Sequence, residues 1–507
     1  MFFYFPIKYN RQKIYILFTL YFLRDMIKSK RHYRERMIGL KSSKNMILML
    51  IVACQLMIML DSSVMITALP EIGATMHLST TSLTWVQNAY ILISGGLLLF
   101  GARTGDIIGR RRTLSFGIAV FTVASVLVGV AQSAEFLLVS RALQGLAAAF
   151  ATPSTLALLS VSFTEAKERA KAIAVYSAIA GGGGSVGLVL GGWLTEFVSW
   201  RVGMFINVPI GIAVLILAPR FLNETDKNAG KFDAMGALTS VLGMSALVFG
   251  FIQAASEGWD RPLTLISLAV GAAMLTSFVF IEARAKQPIT PLRLFSNRRR
   301  SGAYLGRFLM VAGNYSLFFF LTQYLQNILG FTAFQAGIAF LPMMLVMFGM
   351  MYAMPRLISR FGNLKVLIAG IAIAIIGTLL LSHLSSHTLY FPEMFFPLII
   401  IGIGAGVVFS PLTSFGIAEV EARDAGAASG LVNAAHQTGG SLGLAILVTV
   451  FEAAMGGGEA SKSAFAHATS AAILGSAAFL TAALVVVLVW FMPDLKPDKK
   501  ASLQPEG

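Results

Sequence analysis

The chain has 507 residues, of which 56% are hydrophobic and 12% charged, more apolar than a water-soluble domain of that length needs to fill its core. The mean hydropathy of +0.75 points to an integral membrane protein, and the single cysteine, Cys54, excludes a disulfide framework within the chain and a cysteine-built metal cluster. The net charge of +15 raises nucleic acid as a partner, but the placement of the basic residues decides otherwise.

In chain order, residues 1–44 stand apart as a basic N-terminal extension. Within them "IYILFTLYFL" (14–23) is shorter than the roughly 20 apolar residues a span requires and lacks a small-residue cleavage site. It reads as an interfacial segment or as sequence upstream of a start at Met37. Fourteen apolar segments follow, centred near residues 57, 93, 121, 148, 181, 211, 243, 272, 316, 346, 374, 404, 437 and 481. They are continuous rather than alternating, which predicts helices and excludes a barrel. With the N-terminus inside, Arg201, Arg261 and Lys462 fall in outward loops and Arg141 within a span, while the other basic residues face one side. Anionic lipid explains that asymmetry, and no nucleic-acid partner is expected.

Two stretches repeat. "EAKERAKAIAVYSAIAGGGGSVGL" (165–188) lies over "EARDAGAASGLVNAAHQTGGSLGL" (421–444) at a constant offset of 256, pairing Glu165 with Glu421, Lys167 with Arg423 and Glu168 with Asp424. The offset covers eight spans, so two parallel six-helix halves are expected with two extra helices between them. The implied units are 45–220, a first six-helix bundle; 221–300, two additional spans; 301–493, a second six-helix bundle; and 494–507, a tail. A second pair, "GARTGDIIGRRRTL" (101–114) and "MPRLISRFGNLKVL" (354–367), matches Gly109 with Gly362 and places Ser359 where the first half has Asp106.

These stretches also resemble a known family. "GARTGDIIGRRRTL" is similar to the loop signature of the major facilitator superfamily and "RALQGLAAA" (141–149) to its fourth-span signature; "LDSSVMITALP" and "SWRVGMFINVPIG" resemble the fourteen-span drug:proton antiporter branch. The resemblance covers about residues 45–493. Ala102, Ile107, Leu188 and Ile66 depart from the usual pattern. It implies an all-α major facilitator fold and proton-coupled export of hydrophobic, drug-like and cationic compounds across the plasma membrane, with both termini cytoplasmic. One metabolite, siderophore or antibiotic as sole cargo is the alternative, and a non-transporting receptor or assembly partner a third.

The candidate residues follow from physical cost. Asp61 lies inside the first span, read as its outer half, where a carboxylate costs about 2.5–3.5 kcal/mol and so faces a cavity, accepts a proton or is held by a neighbouring helix. Arg141, read as the only basic residue well inside a span, must pair, orient water or tune an acid, because it keeps its proton. Both are assigned to proton coupling. Gly183, Gly187 and Gly191, with Gly192, form a bare helix face for close packing or sliding. Gly105, Asp106, Gly109, Arg110 and Arg111 form a turn expected to latch the cytoplasmic side or to anchor it, with Asp106 placed to accept hydrogen bonds from a helix N-terminus. Gln87, Tyr90, Gln144, Tyr315, Phe319, Gln323 and His436 are candidates for the substrate cavity. No phosphate-binding loop, catalytic pair or metal-ligand spacing occurs in the sequence, so the reading is a gradient-driven transporter, not an enzyme, without cofactor and monomeric, contacting protons and membrane lipids besides its cargo.

Overall fold

A computed structural model describes residues 11–225, 233–285, 288–420, 425–456 and 461–491; side chains are described from 44 onward, except at 80–81, 425–426 and parts of 166–185. Among the described residues every element is helical, and thirteen helices are long and apolar enough to cross a membrane. They are α1 (Arg11–Met76, apolar from Lys44), α2 (Thr80–Ile108), α3 (Arg110–Val130), α4 (Ala134–Ser162), α6 (Trp200–Phe221), α7 (Ala234–Glu257), α8 (Pro262–Arg284), α9 (Arg298–Asn327), α10 (Ala333–Phe361), α11 (Asn363–Leu381), α12 (Tyr390–Gly416), α13 (Ala425–Met455) and α14 (Lys462–Phe491). With α5 (Ala166–Phe197), whose described apolar part is Val186–Phe197, they match the fourteen segments read from the sequence. Residues 1–10 of the extension, part of the repeated loop at 421–424 and the whole tail 494–507 lie outside the described residues.

Local chemistry sets the helix ends. Ser79, Ser133, Ser199, Asp233 and Asn297 each accept a backbone hydrogen bond as N-caps, and Thr332 with Gln335 completes a capping box. The α2–α3 and α10–α11 turns pivot on Gly109 (φ +115°) and Gly362 (φ +81°), conformations L side chains rarely adopt. These are the two glycines matched in the sequence.

The packing repeats with a shift of eight helices. α1 packs on α5, α2 and α3 on α4, and α3 and α1 on α6; equivalently α9 packs on α13, α10 and α11 on α12, and α11 and α9 on α14. Helix-facing glycines make this possible on both sides. A β-carbon on Gly187 would sit 2.6 Å from that of Ser63 on α1, and Gly443, at the same offset of 256, presses equally closely on Ala312 of α9. The helices α7 and α8 pack on each other, and α7 fills the groove between α2 and α13.

Among the described residues three main seams join the halves: α1 with α9 and α10, α5 with α10, and α2 with α13. The first two lie at the end away from the α2–α3 turn. There Gln326 Nε2 donates to the Thr67 carbonyl at 3.3 Å, the Phe334 amide donates to Glu196 at 3.1 Å, and Gly192 and Gly337 let α5 and α10 touch backbone to backbone. Only the third seam reaches the turn end in the contacts between described residues, where Leu99 fills the space over Gly430.

Candidate functional site

The acid and the arginine singled out separately in the sequence meet. Asp61 falls at the middle of Lys44–Met76 rather than in the outer half of a shorter span, because the helix runs on through Pro70 to Met76. Its Oδ2 accepts from Arg141 Nη1 at 2.7 Å, and both side chains are 0% exposed. Its Oδ1 accepts from Gln144 Nε2 at 2.8 Å and from Asn207 Nδ2 at 2.9 Å. Gln144 Nε2 and Asn207 Nδ2 also reach Ser125 Oγ, at 2.9 and 3.2 Å. The carboxylate therefore holds three donors from α4 and α6, arranged around one negative and one positive charge.

Arg141 keeps further partners. Its Nη1 donates to Gln144 Oε1 at 2.7 Å, its Nε to the Val86 carbonyl at 3.2 Å, and its guanidinium lies over the Tyr90 ring at 4.6 Å. Its Nη2 and Asn207 Oδ1 are buried with no hydrogen-bond partner. Isolated charges at such depth cost several kcal/mol each, whereas a hydrogen-bonded pair recovers much of that. Toward the turn end, Tyr176 OH donates to Gln55 Oε1 at 2.7 Å and shares a hydrogen bond with Thr155 at 3.1 Å. That chain starts six residues before Asp61 on α1, about 9 Å along the helix.

The remaining cavity candidates divide. Tyr315 OH donates to Gln87 Oε1 at 3.0 Å across the halves, leaving Gln87 Nε2 buried and unpartnered, as is Gln323 Nε2. Beside them Ser441 donates to Asn88 at 2.7 Å and Gln437 to Ser94 at 3.1 Å, a polar seam between α2 and α13. Phe319 instead packs into an apolar cluster with its ring 5.2 Å from Phe320. His436 is 5.9 Å from the Phe409 ring, with Nδ1 buried and unpartnered.

Among the glycines, Gly187 and Gly191 face α1; a β-carbon at Gly191 would lie 2.6 Å from Val64 Cα. Gly192 faces Ala333 of α10 across the halves. Gly183 lies in a part of α5 where only the backbone path is described.

At the α2–α3 turn the structure corrects the expected role of Asp106. The carboxylate at the N-terminus of α3 is Glu224, just past α6, which accepts from the Arg111 amide at 2.9 Å and the Arg112 amide at 3.3 Å. Asp106 pairs with Arg110 one helical turn away. Gly105 leaves room for that arginine, since a β-carbon there would lie 2.7 Å from Arg110 Cδ. Arg111 donates to the Leu222 carbonyl at 3.2 Å and sits 3.7 Å from Glu224. These bonds tie the turn to the end of α6, within the first half.

Sequence reasoning missed Asn207, Ser125, Glu224 and Arg307. The last corrects the reading of Arg141 as the one basic residue well inside a span. Arg307 stands nine residues into α9, hidden in the sequence behind the basic run 298–300, and its Nη1 donates to Thr413 Oγ1 at 2.9 Å. The signal that could have found it is its register: it stands four residues before Val311 and eight before Tyr315, at helical steps from the aromatic face of α9.

Two pseudo-equivalent helical halves meeting along polar seams, the first of them enclosing a buried ion pair, are the architecture of a membrane transporter rather than an enzyme. The family model "Major Facilitator Superfamily" matches residues 51–444, and the chain belongs to that family. It is 39% identical to the puromycin resistance protein of Streptomyces alboniger over 409 residues, 80% of this chain and 81% of that one. It is 38% identical to the cephamycin export protein of Amycolatopsis lactamdurans, over 88% of this chain and 92% of that one. Among solved structures, a bacterial homolog of the human lysosomal transporter Spinster, inward-facing and unoccupied, matches with a TM-score of 0.63 at 18% identity, over 90% of this chain and 99% of that one, which shows the shared fold.

Proposed function

We propose that this protein exports hydrophobic, drug-like compounds across the cell membrane in exchange for protons, with Asp61 and Arg141 as the coupling pair. The observation that carries the reading is a fully buried ion pair whose members both have somewhere else to turn. When Asp61 takes a proton its charge vanishes, and Arg141 keeps the Val86 carbonyl, Gln144 Oε1 and the Tyr90 ring as partners. The new O–H needs an acceptor. Asn207 holds one in its unpartnered Oδ1, and a half-turn of that amide would present oxygen where it now presents nitrogen. Protonation then reverses the polarity of a bond between α1 and α6 and loosens the tie between α1 and α4, a two-state element of the kind alternating access requires.

The seams fit a bundle closed at the far end. In our reading the α2–α3 turn and both termini face the cytoplasm, which puts the basic residues inside, in contact with anionic lipid, and the chain works as a monomer in the plasma membrane. Each charge moved across 100 mV is worth about 2.3 kcal/mol, so protons supply enough energy to drive such cargo outward. Purified protein in vesicles under an imposed pH gradient is the test: wild type should move fluorescent drug-like dyes, and Asp61→Asn should not respond to the gradient. Gradient-dependent flux surviving in Asp61→Asn would overturn the coupling role.

A dedicated carrier is the second reading, favoured by relatives whose names each carry a single antibiotic. A panel of unrelated dyes separates the two, because a dedicated carrier moves few of them.

A further inference from the structure

Among the described residues, the Arg307 guanidinium, inside a span of the second half, has no acidic partner. Arg307 has two hydrogen-bond acceptors, both neutral: Thr413 Oγ1 at 2.9 Å and the Phe409 carbonyl at 3.4 Å. Its guanidinium lies 5.2 Å from the centre of the Phe409 ring. Its Nε is buried and unpartnered. Nine residues into α9 places it about 13 Å along the helix, where a guanidinium that cannot shed its proton is costly without a counter-charge. Asp61 cannot serve, because Arg141 already holds it.

The neighbouring groups suit a ligand rather than a lipid chain. His436, from α13, also lies beside the Phe409 ring, the ring centres 5.9 Å apart, and its Nδ1 is a second buried polar atom without a partner. One turn further along α13, Gly440 contributes no side chain; a β-carbon there would lie 3.6 Å from the Tyr315 ring and from Val311. On α9, Arg307, Val311 and Tyr315 follow at four-residue steps, so a cation and an aromatic ring stand on one stripe, two turns apart. Arginine's planar fork matches a carboxylate bidentately, and the Phe409 and Tyr315 rings offer faces to an aromatic body.

We infer that Arg307, with Thr413, Phe409 and His436, forms an anion-accepting subsite in the second half that binds the carboxylate of amphipathic aromatic acids. The inference rests on the exporter reading above and names a substrate class for it. Such cargo is opposite in charge to the cations expected from Asp61 alone, and the two sites lie in different halves.

A matched probe pair tests this at equilibrium, without any gradient: radiolabelled 1-naphthylacetate and its neutral analogue 1-naphthaleneacetamide, bound to the full chain in lipid nanodiscs. Wild type should bind the acid about tenfold more tightly than the amide, a difference of about 1.4 kcal/mol. Arg307→Gln should erase that preference, with a cooperative thermal unfolding transition reporting that the variant is folded; Arg307→Lys should keep part of it. Equal affinities in wild type, absence of acid binding, or a preference surviving in Arg307→Gln would each overturn the proposal. So would displacement of the acid by chloride or phosphate as effective as by unlabelled acid, which would make Arg307 a site for small inorganic anions. The wild-type comparison needs no variant, so the proposal stays testable if Arg307→Gln does not fold. Wild type that moves dyes under a pH gradient yet shows no acid preference sinks the subsite alone; acid preference without flux of any compound sinks the transport reading alone.

Discussion

The two halves pack alike and are charged differently. In the first, Asp61, Arg141, Gln144 and Asn207 close a network in which a negative and a positive charge cancel. At the offset of 256 that pairs Gly187 with Gly443, the positions of Arg141 and Gln144 are occupied by Pro397 and Ile400. The second half carries instead a cation well inside a span, Arg307, which no acid among the described residues holds, on a helix whose partner in the first half carries an acid. Duplication preserved what backbone contact demands, the glycines at 187 and 443, and left the polar chemistry free to change. One half is built to hold a balanced pair, the other to leave a charge waiting.

The most severe way to break this comparison is to unbalance the first half. Arg141→Gln leaves Asp61 buried without its cation and should cost about 3–5 kcal/mol in thermal unfolding of the purified protein. Asp61→Asn combined with Arg141→Gln should recover most of that loss, since neither charge is then stranded, yet gradient-driven flux should stay absent. Recovery of stability without coupling would separate folding from function.

Next in size are the glycines the halves share. Gly187→Leu and Gly443→Leu each force side-chain atoms against α1 or α9 and should destabilise by about 1–3 kcal/mol, read as a lower unfolding temperature. Comparable losses would show that both halves need the close approach; a loss confined to one would show that the repeat is not mechanically equivalent.

Smaller again is the cap at α3. Glu224→Gln removes an anion from that helix N-terminus and should cost about 0.3–1 kcal/mol, while hydrogen exchange at residues 109–113 rises. The corresponding turn at Gly362 has no side-chain cap and should be unaffected. Smallest is the seam. Gln437→Ala and Ser94→Ala, alone and together, should give a coupling energy near 1 kcal/mol, since they remove one neutral hydrogen bond between the halves.

Much of this was legible in the sequence, for reasons that differ by residue. Hydropathy runs and capping residues define helices locally, the offset of 256 reveals a repeat, and the likeness of the two glycine-bearing turns pairs Gly109 with Gly362, so these needed no coordinates. Asp61 and Arg141 were conspicuous because charge inside an apolar run is costly. That they touch was not legible, because 80 residues separate them and only the crossing of α1 and α4 brings them together. Asn207 escaped notice because it begins the second segment of a broken α6, where an amide reads as a loop residue. Glu224 was passed over for Asp106 because the latter lies inside the recognised turn, whereas the carboxylate that reaches α3 arrives from more than a hundred residues away.

The α7–α8 pair makes the two flanks of the molecule mechanically unequal. At the α2–α13 seam the halves move against protein, since α7 lies in that groove and α8 shields it. The outward residues of α8, including Leu263, Ile266, Val270 and Phe280, are exposed as a surface for acyl chains to wet. Across the molecule, no helix buttresses the α5–α10 seam in the same way in the contacts among the described residues. In the alternating-access cycle proposed above, rocking would work against a stiff wall on one flank and a yielding fluid on the other, so changes in bilayer thickness or viscosity would bear on the protein from one side.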